Sequence, residues 1–341
     1  MEAMNRGFDS EEIITLARLE ELLPEWKALW SSARHSTPFQ FPEWIVWWWR
    51  CFGAGRLAVL ALRDGKRLVA MVAGAVRDAT APDGAIFELI GGGISDYQDG
   101  LFAPGYEAAS MSQVLAWLKQ MKREHCDRCR LEQLPELSPF VTAPVAQRWF
   151  DQVATGDVCP VLRLRGSDLA GCIPTAQAAK LLYYRRRADR RGAVRFQTAD
   201  GSNWPELLGD LLELHRRSWS HRGQSGVLAD TAVERFHRGV APQLLGAGLL
   251  RLYRLRIGER AVASLYVLMH RARACYYIGG FDPEFSDVSP GTLLIGHAIE
   301  RAIAEGAAEF DFLRGQERYK YFWGAEDRPT YRRVLHRPGV G

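Results

Sequence analysis

The chain has 341 residues, 47% of them apolar and 25% charged, with a net charge of +4. That length favours two domains of ordinary size, each able to bury a core, and the composition is that of a globular protein. So small an excess of positive charge argues against a wide nucleic-acid footprint, and no uninterrupted apolar run is long enough to cross a bilayer.

In chain order, residues 1–12 lack an apolar core behind a basic start, which predicts no signal peptide; with six scattered cysteines this fits a reducing cytoplasm. Leu16, Leu19, Leu22, Leu23, Trp26, Leu29 and Trp30 recur at helical spacing and predict one helix over 16–32; an aromatic second helix follows over 42–52. Residues 56–77 read as a hairpin turning at Asp64-Gly65-Lys66. A strand from Phe87, a helix over 108–124 and a short strand over 130–136 complete the first half. Cys126 and Cys129 form a C-x-x-C preceded by His125; with no second ligand pair, they read as thiols near a strand start and no metal is expected. The join lies in 158–174, rich in Gly and Pro.

Helices follow over 177–191, 205–221 and 231–245. Residues 250–271 repeat the hairpin with a turn at Gly258-Glu259-Arg260, 275–281 repeat the strand, 292–305 the helix and 310–317 the second strand. Matched order in two halves predicts a duplicated α/β domain, divided at 165/166 into 1–165 and 166–341.

Short motifs accompany the second copy: Ser218-Trp219 with Arg222-Gly223, Phe236-His237, the run Gly279 to Phe285, Ser289-Pro290-Gly291, Asp311 to Gly315, and Glu317-x-x-Lys320. In this order and spacing they resemble the GNAT-superfamily acetyltransferases of the CelD-like, cellulose-biosynthesis type. The resemblance covers about 180–324, with weaker support over 37–150, where Ser95-Asp96-Tyr97-Gln98-Asp99 also fits. The tandem arrangement is similar to Fem-type aminoacyl transferases, which pair two GNAT folds; the coiled-coil arm of many of these has no heptad counterpart here. The resemblance implies an α/β (α+β) protein of two tandem GNAT-like domains, each a mixed, mostly antiparallel sheet flanked by helices. It implies transfer of an acetyl or other acyl group from acyl-CoA to an amine or hydroxyl, on a small-molecule or glycan-precursor acceptor of polysaccharide or cell-envelope metabolism. Peripheral association with a membrane or synthase complex is compatible with it. A non-catalytic scaffold and a Fem-like, aminoacyl-tRNA-dependent transferase are the alternatives.

The diphosphate of acyl-CoA needs free backbone N–H groups at a helix start, which the turn 288–293 can supply from Ser289, Gly291 and Thr292, with Pro290 at the first helical position and Gly279, Gly280 and Phe281 on the adjoining strand. Asp282, Glu284 and Asp287 just upstream would repel a phosphate. Lys320 is expected to steady the oxyanion or anchor the acceptor, with Tyr319 or Tyr321 as proton donor to the leaving thiolate; an ordinary amphipathic strand explains the same spacing. Asp282, Asp311 and Glu317 are the candidate bases, and Asp311 equally fits a structural carboxylate. Trp219 and Arg222, with Asp311 and Arg314, are expected at the acceptor, unless Trp219 is core and Arg222 a helix-end charge. Asp96, Tyr97 and Asp99 of the first half are expected to bond sugar hydroxyls or a cationic amine in an interdomain groove, or else to tie their own turn together. The run Arg185, Arg186, Arg187, Arg190 and Arg191 reads first as a solvated helix face.

Overall fold

In the computed structural model, residues 7–77, 84–124, 126–144 and 150–336 are described; His125 lies outside them. Contacts divide the chain into unit 1, Met1–Asp157 with Pro329–Gly341, and unit 2, Val158–Arg328.

Unit 1 contains β1 (Asp9–Ile13), α1 (Leu16–Glu21), α2 (Leu23–Ser32), α3 (Pro42–Phe52), β2 (Arg56–Asp64), β3 (Arg67–Arg77), β4 (Ile86–Leu89), β5 (Leu101–Phe102), α4 (Glu107–Glu124), β6 (Arg128–Leu134) and α5 (Pro139–Thr142). The single helix expected over 16–32 is two. Leu22 closes α1, and Pro24, which has no N–H to give, stands in the first turn of α2. The strands run β1-β2-β3-β4-β6, with the last strand of the chain beside β6. All these pairs are antiparallel except β4 with β6. Trp26, Phe39, Trp44, Phe87 and Phe140 fill the core around them.

The unit boundary falls within β7 (Phe150–Arg163). Unit 2 continues with α6 (Leu169–Cys172), α7 (Thr175–Arg191), β8 (Val194–Thr198), α8 (Trp204–Ser220), α9 (Thr231–Gly246), β9 (Leu250–Ile257), β10 (Arg260–His270), β11 (Arg273–Phe281), α10 (Pro290–Ala304), β12 (Glu309–Asp311) and α11 (Arg318–Tyr321). The last described element is β13 (Glu326–His336), most of which belongs to unit 1. The strand order is β8-β9-β10-β11-β12-β7, and the one parallel pair is β11 with β12. Each unit thus has a hairpin, a third strand, a helix and a strand parallel to the third, in a mixed, mostly antiparallel sheet flanked by helices. That is the α/β class expected.

Helix α10 starts on Pro290 and lays Leu294, Ala298, Ile299 and Ala302 against Leu265 and Val267 of β10 and Phe310 of β12. A bulge interrupts β11: Tyr266 faces Ile278 and Val267 faces Tyr276, which leaves Tyr277 as the extra residue. Tyr276 joins the α10 core. Tyr277 turns to the other face, its ring 5.4 Å from His237 and 5.6 Å from Tyr266. The strand expected over 310–317 ends at Asp311. Leu313 takes a left-handed φ of 57°, which turns the chain out of the sheet.

Helix α8 packs on β11 with almost no space between them. A Cβ on Gly280 would lie 2.2 Å from the His215 backbone nitrogen. Helix–strand packing by itself requires a glycine here. Gly280→Ala should therefore cost about 1–3 kcal/mol of stability through overpacking, read as a lower urea midpoint; an unchanged midpoint would show that α8 shifts freely.

Candidate active site

Strands β11 and β12 pair only where Arg273–Cys275 meets Glu309–Asp311. Beyond Cys275 the ladder stops and the strands part. Tyr276 and Tyr319 stand at this opening, their rings 6.3 Å apart and steeply inclined, with the two phenols acting on each other electrostatically. Phe312 packs against both, tilted to Tyr276 at 6.1 Å and edge-on to Tyr319 at 6.4 Å. Gly279 leaves room over the pair, since a Cβ there would come 3.1 Å from the Tyr276 hydroxyl. Burial pushes the pKa of both phenols up; for Tyr319 its neighbour Tyr276 adds to the rise, and for Tyr276 its neighbour Tyr319 opposes it. Both stay protonated near neutrality. Glu317 and Arg222 act on the pair with opposite sign.

Arg222 lies over the rings of Trp219 at 5.3 Å and Phe281 at 5.9 Å. The end of β11 is tied to α8 by Ser218, whose hydroxyl donates to Phe281 O (2.6 Å) and accepts from Phe281 N–H (2.8 Å). Trp219, Arg222, Gly279, Phe281, Glu317 and Tyr319, expected from sequence, are thus drawn together. Tyr276 was not anticipated; its signal was a tyrosine three residues before Gly279, on a strand whose bulge changes which residues share a face.

The start of α10 is uncapped by any side chain: Ser289 is left-handed (φ 46°) and its hydroxyl bonds Thr292 Oγ1 at 2.8 Å. A Cβ on Gly291 would meet only Phe281, at 3.7 Å, so this turn sits against the end of β11. The upstream carboxylates do not oppose an anion as expected, because arginines from other elements hold them. Asp282 pairs with Arg217 (3.1 Å) and Arg260 (2.6 Å), Glu284 with Arg260 (2.7 Å), and Asp287 with Arg187 (3.2 Å) and Arg191 (2.6 Å). The Arg260 bond holds Glu284 below its usual pKa; Asp287 is also lowered, its desolvation being outweighed by Arg187 and Arg191. Part of the arginine run on α7 therefore clamps this loop, while Arg186 and Arg190 face solvent.

Several expected roles do not survive the geometry. Lys320 lies on the short helix α11 and is 2% exposed. Its ammonium donates to Leu313 O (3.1 Å), Arg314 O (2.8 Å) and Gly315 O (3.0 Å) and stands 2.9 Å from Glu317 Oε2. No donor is left for an oxyanion or an acceptor. Asp282 is 1% exposed, caps the following turn through Glu284 N–H and bears two guanidinium groups, so it is no base. Asp311 is wholly buried and accepts Leu313 N–H at 2.8 Å, out of reach of an acceptor. Arg314 contributes its carbonyl to the Lys320 cage. Tyr321, a further candidate donor, bonds Asp327 instead (2.7 Å). Of the three candidate bases only Glu317 meets solvent, with its side chain 57% exposed.

In unit 1, Tyr97 is core, 2% exposed and 6.3 Å from the Phe39 ring, so it cannot meet an acceptor. Asp99 accepts from Ser138 Oγ–H and Gly100 N–H, both at 2.8 Å, and Asp96 precedes it in the same loop. Cys126 and Cys129 are buried. Among the described residues, no group of three His, Cys, Asp or Glu is placed to hold a metal, and no helix is long and apolar enough to cross a membrane.

Residues 176–321 match the family model of the acetyltransferase (GNAT) domain. Among solved structures, the chain is similar to FemX at 11% identity and a TM-score of 0.66, over 95% of this chain and 96% of that one. It is also similar to the C-terminal domain of a putative lysylphosphatidylglycerol synthetase from Agrobacterium fabrum (13%, TM-score 0.60, 93% and 92%). L-PGS from Bacillus licheniformis gives 12%, a TM-score of 0.58, and 95% and 92%. At these identities the likeness is one of fold. No curated protein matches the sequence. The matched segment, residues 176–321, contains the uncapped start of α10 and the parted strands β11 and β12.

Proposed function

We propose that unit 2 transfers an acyl group from acyl-CoA to an amine or hydroxyl acceptor belonging to polysaccharide or cell-envelope metabolism. The observation that carries this reading is the uncapped start of α10 beside the opening between β11 and β12. Gly291 and Thr292 N–H groups and the helix dipole favour a diphosphate there, and the paired upstream carboxylates no longer repel it. The pantetheine arm would run along Gly279–Phe281, where Gly279 permits close approach. The protonated Tyr276–Tyr319 pair then gives a proton to the leaving thiolate as the C–S bond breaks. Glu317, the exposed carboxylate, takes the proton lost by the attacking nitrogen or oxygen. Arg222, held over Trp219 and Phe281, steers an anionic part of the acceptor.

Gly291→Asp tests the cofactor reading. The site has room for the new Cβ, so the fold should survive while the added carboxylate repels the diphosphate. Calorimetry should show CoA bound by the wild type and a loss of at least about tenfold in the variant, the scale of one charge-assisted contact. Equal affinity for both would remove CoA from this helix start. The likeness in fold to FemX favours a second reading, transfer from an aminoacyl-tRNA; turnover that needs charged tRNA and ignores acetyl-CoA would establish it.

A further inference from the structure

Among the described residues seven large apolar side chains are exposed, and three of them lie on one surface of unit 2: Leu182 (62%), Tyr183 (54%) and Phe322 (48%). The first two stand on α7. Phe322 follows α11 and is joined to α7 by Lys180, whose ammonium is 4.7 Å from its ring centre. Singly exposed apolar residues are ordinary, but a group of them on one face marks an interaction surface. At the rotation of an α-helix, an arc of about 160° runs from Leu182 through Arg186, Arg190 and Tyr183 to Lys180. The opposite side of α7 is already occupied: Gln177 and Ala188 are buried, and Leu181 packs over Gly296 of α10.

The charge left over on this face has one sign. Arg185 pairs with Asp189 (3.2 Å), and Arg187 and Arg191 pair with Asp287, so the carboxylates beside the helix are already answered. Lys180, Arg186 and Arg190 are exposed, and among the described residues none of the three has an ion-pair partner. Arg186 lies one turn beyond Leu182, and Arg190 one turn beyond Arg186, so cations and apolar tips share the same arc. The Tyr183 hydroxyl accepts from Arg187 at 2.9 Å, which holds the ring in place at the surface. A face that only meets water needs neither exposed apolar tips nor an excess of one charge.

We propose that this face of α7, with Phe322, docks unit 2 on the surface of an anionic lipid bilayer. The helix lies along the headgroup layer, where Lys180, Arg186 and Arg190 meet lipid phosphates. Leu182 and Phe322 enter the acyl boundary, and the Tyr183 phenol stays at headgroup level. A polynucleotide would answer the cations but leave Leu182 uncovered, whereas an anionic surface with hydrocarbon behind it answers both. The apolar area is small and each cation adds little, so the two sets act together and docking is reversible. Through Arg187 and Arg191 the same helix holds Asp287, just ahead of the start of α10. Nothing here depends on acyl transfer by unit 2, because binding is read without turnover.

The test uses the full chain and sucrose-loaded vesicles of phosphatidylcholine, with and without about one-third phosphatidylserine. Sedimentation should show binding to the anionic vesicles alone, weakening as salt is raised. Arg186→Gln with Arg190→Gln should weaken it about twentyfold, several-fold for each charge. Leu182→Gln with Phe322→Gln should weaken it about tenfold at unchanged charge. Both double variants place a good helix former at exposed positions, so their melting temperatures should match the wild type. The proposal is overturned if the wild type ignores anionic vesicles or binds phosphatidylcholine alone equally well. It is equally overturned if the Leu182 and Phe322 variant binds as the wild type does, since charge alone would then suffice. Tighter binding of a polyuridylate strand, insensitive to that variant, would give the face to nucleic acid. A loss of CoA affinity in the arginine variant, with vesicle binding spared, would give the cations to the nucleotide and refute docking.

Discussion

Replacing Lys320 with methionine should lower the free energy of unfolding by about 3–5 kcal/mol, the range for removing one partner from a buried charged network. The stem volume is retained, so the loss comes from the head group. The ammonium stands among the carbonyls of Leu313, Arg314 and Gly315 and the Glu317 carboxylate. A thioether offers them nothing. The carbonyls would have to take up water in a site 2% exposed or turn away, and Leu313, held at φ 57°, would lose the contact that keeps it there. Urea unfolding measures the effect. A variant as stable as wild type but catalytically dead would restore Lys320 to the chemistry, because a structural clamp cannot give that result.

Asp99→Asn should stabilise the protein in alkaline solution, by up to about 4 kcal/mol for a shift of this size. The carboxyl rises from 3.8 to about 7 on folding, so between those values the native state keeps a proton that the unfolded chain has released. Stability is therefore lost as pH rises through that window, and the full penalty stands above it. Asparagine cannot ionise, and its amide oxygen can still accept from Ser138 and Gly100. Urea midpoints at pH 5, 6 and 8 should separate progressively in favour of the variant. Parallel curves for the two proteins would mean that Asp99 ionises in the fold at no cost.

Much of the scaffold was legible in the sequence because turn chemistry and periodicity are local. Asp64-Gly65-Lys66 and Gly258-Glu259-Arg260 close their hairpins as expected, and the repeated order of elements exposed the duplication. The start of α10 was legible for the same reason: Ser-Pro-Gly describes a helix start by itself. Features made by distant partners were not. Nothing around Asp282, Glu284 and Asp287 announces that Arg217, Arg260, Arg187 and Arg191 neutralise them. Lys320 looked like a free cation because its cage forms only once Leu313 adopts a left-handed backbone, which leucine rarely shows. Tyr276 was hidden by the bulge, since strict alternation gives the wrong neighbour for every residue beyond it.

That bulge marks the one position of β11 whose length can change without moving its neighbours. Up to Tyr276 the strand keeps one phase, and from Ile278 onward it keeps the opposite one, with Gly280 against α8 and Phe281 toward the α10 core. Substituting Tyr277 would alter one side chain. Deleting it would leave Ile278 to Phe281 opposite the same partners on β10 and on the same faces, and would remove only the ring beside His237 and Tyr266. What the extra residue adds is therefore chemical and not geometric: it lets the strand place two tyrosines in succession on opposite faces, one at the opening beside Tyr319 and one against His237, without disturbing the contact of Gly280 with α8.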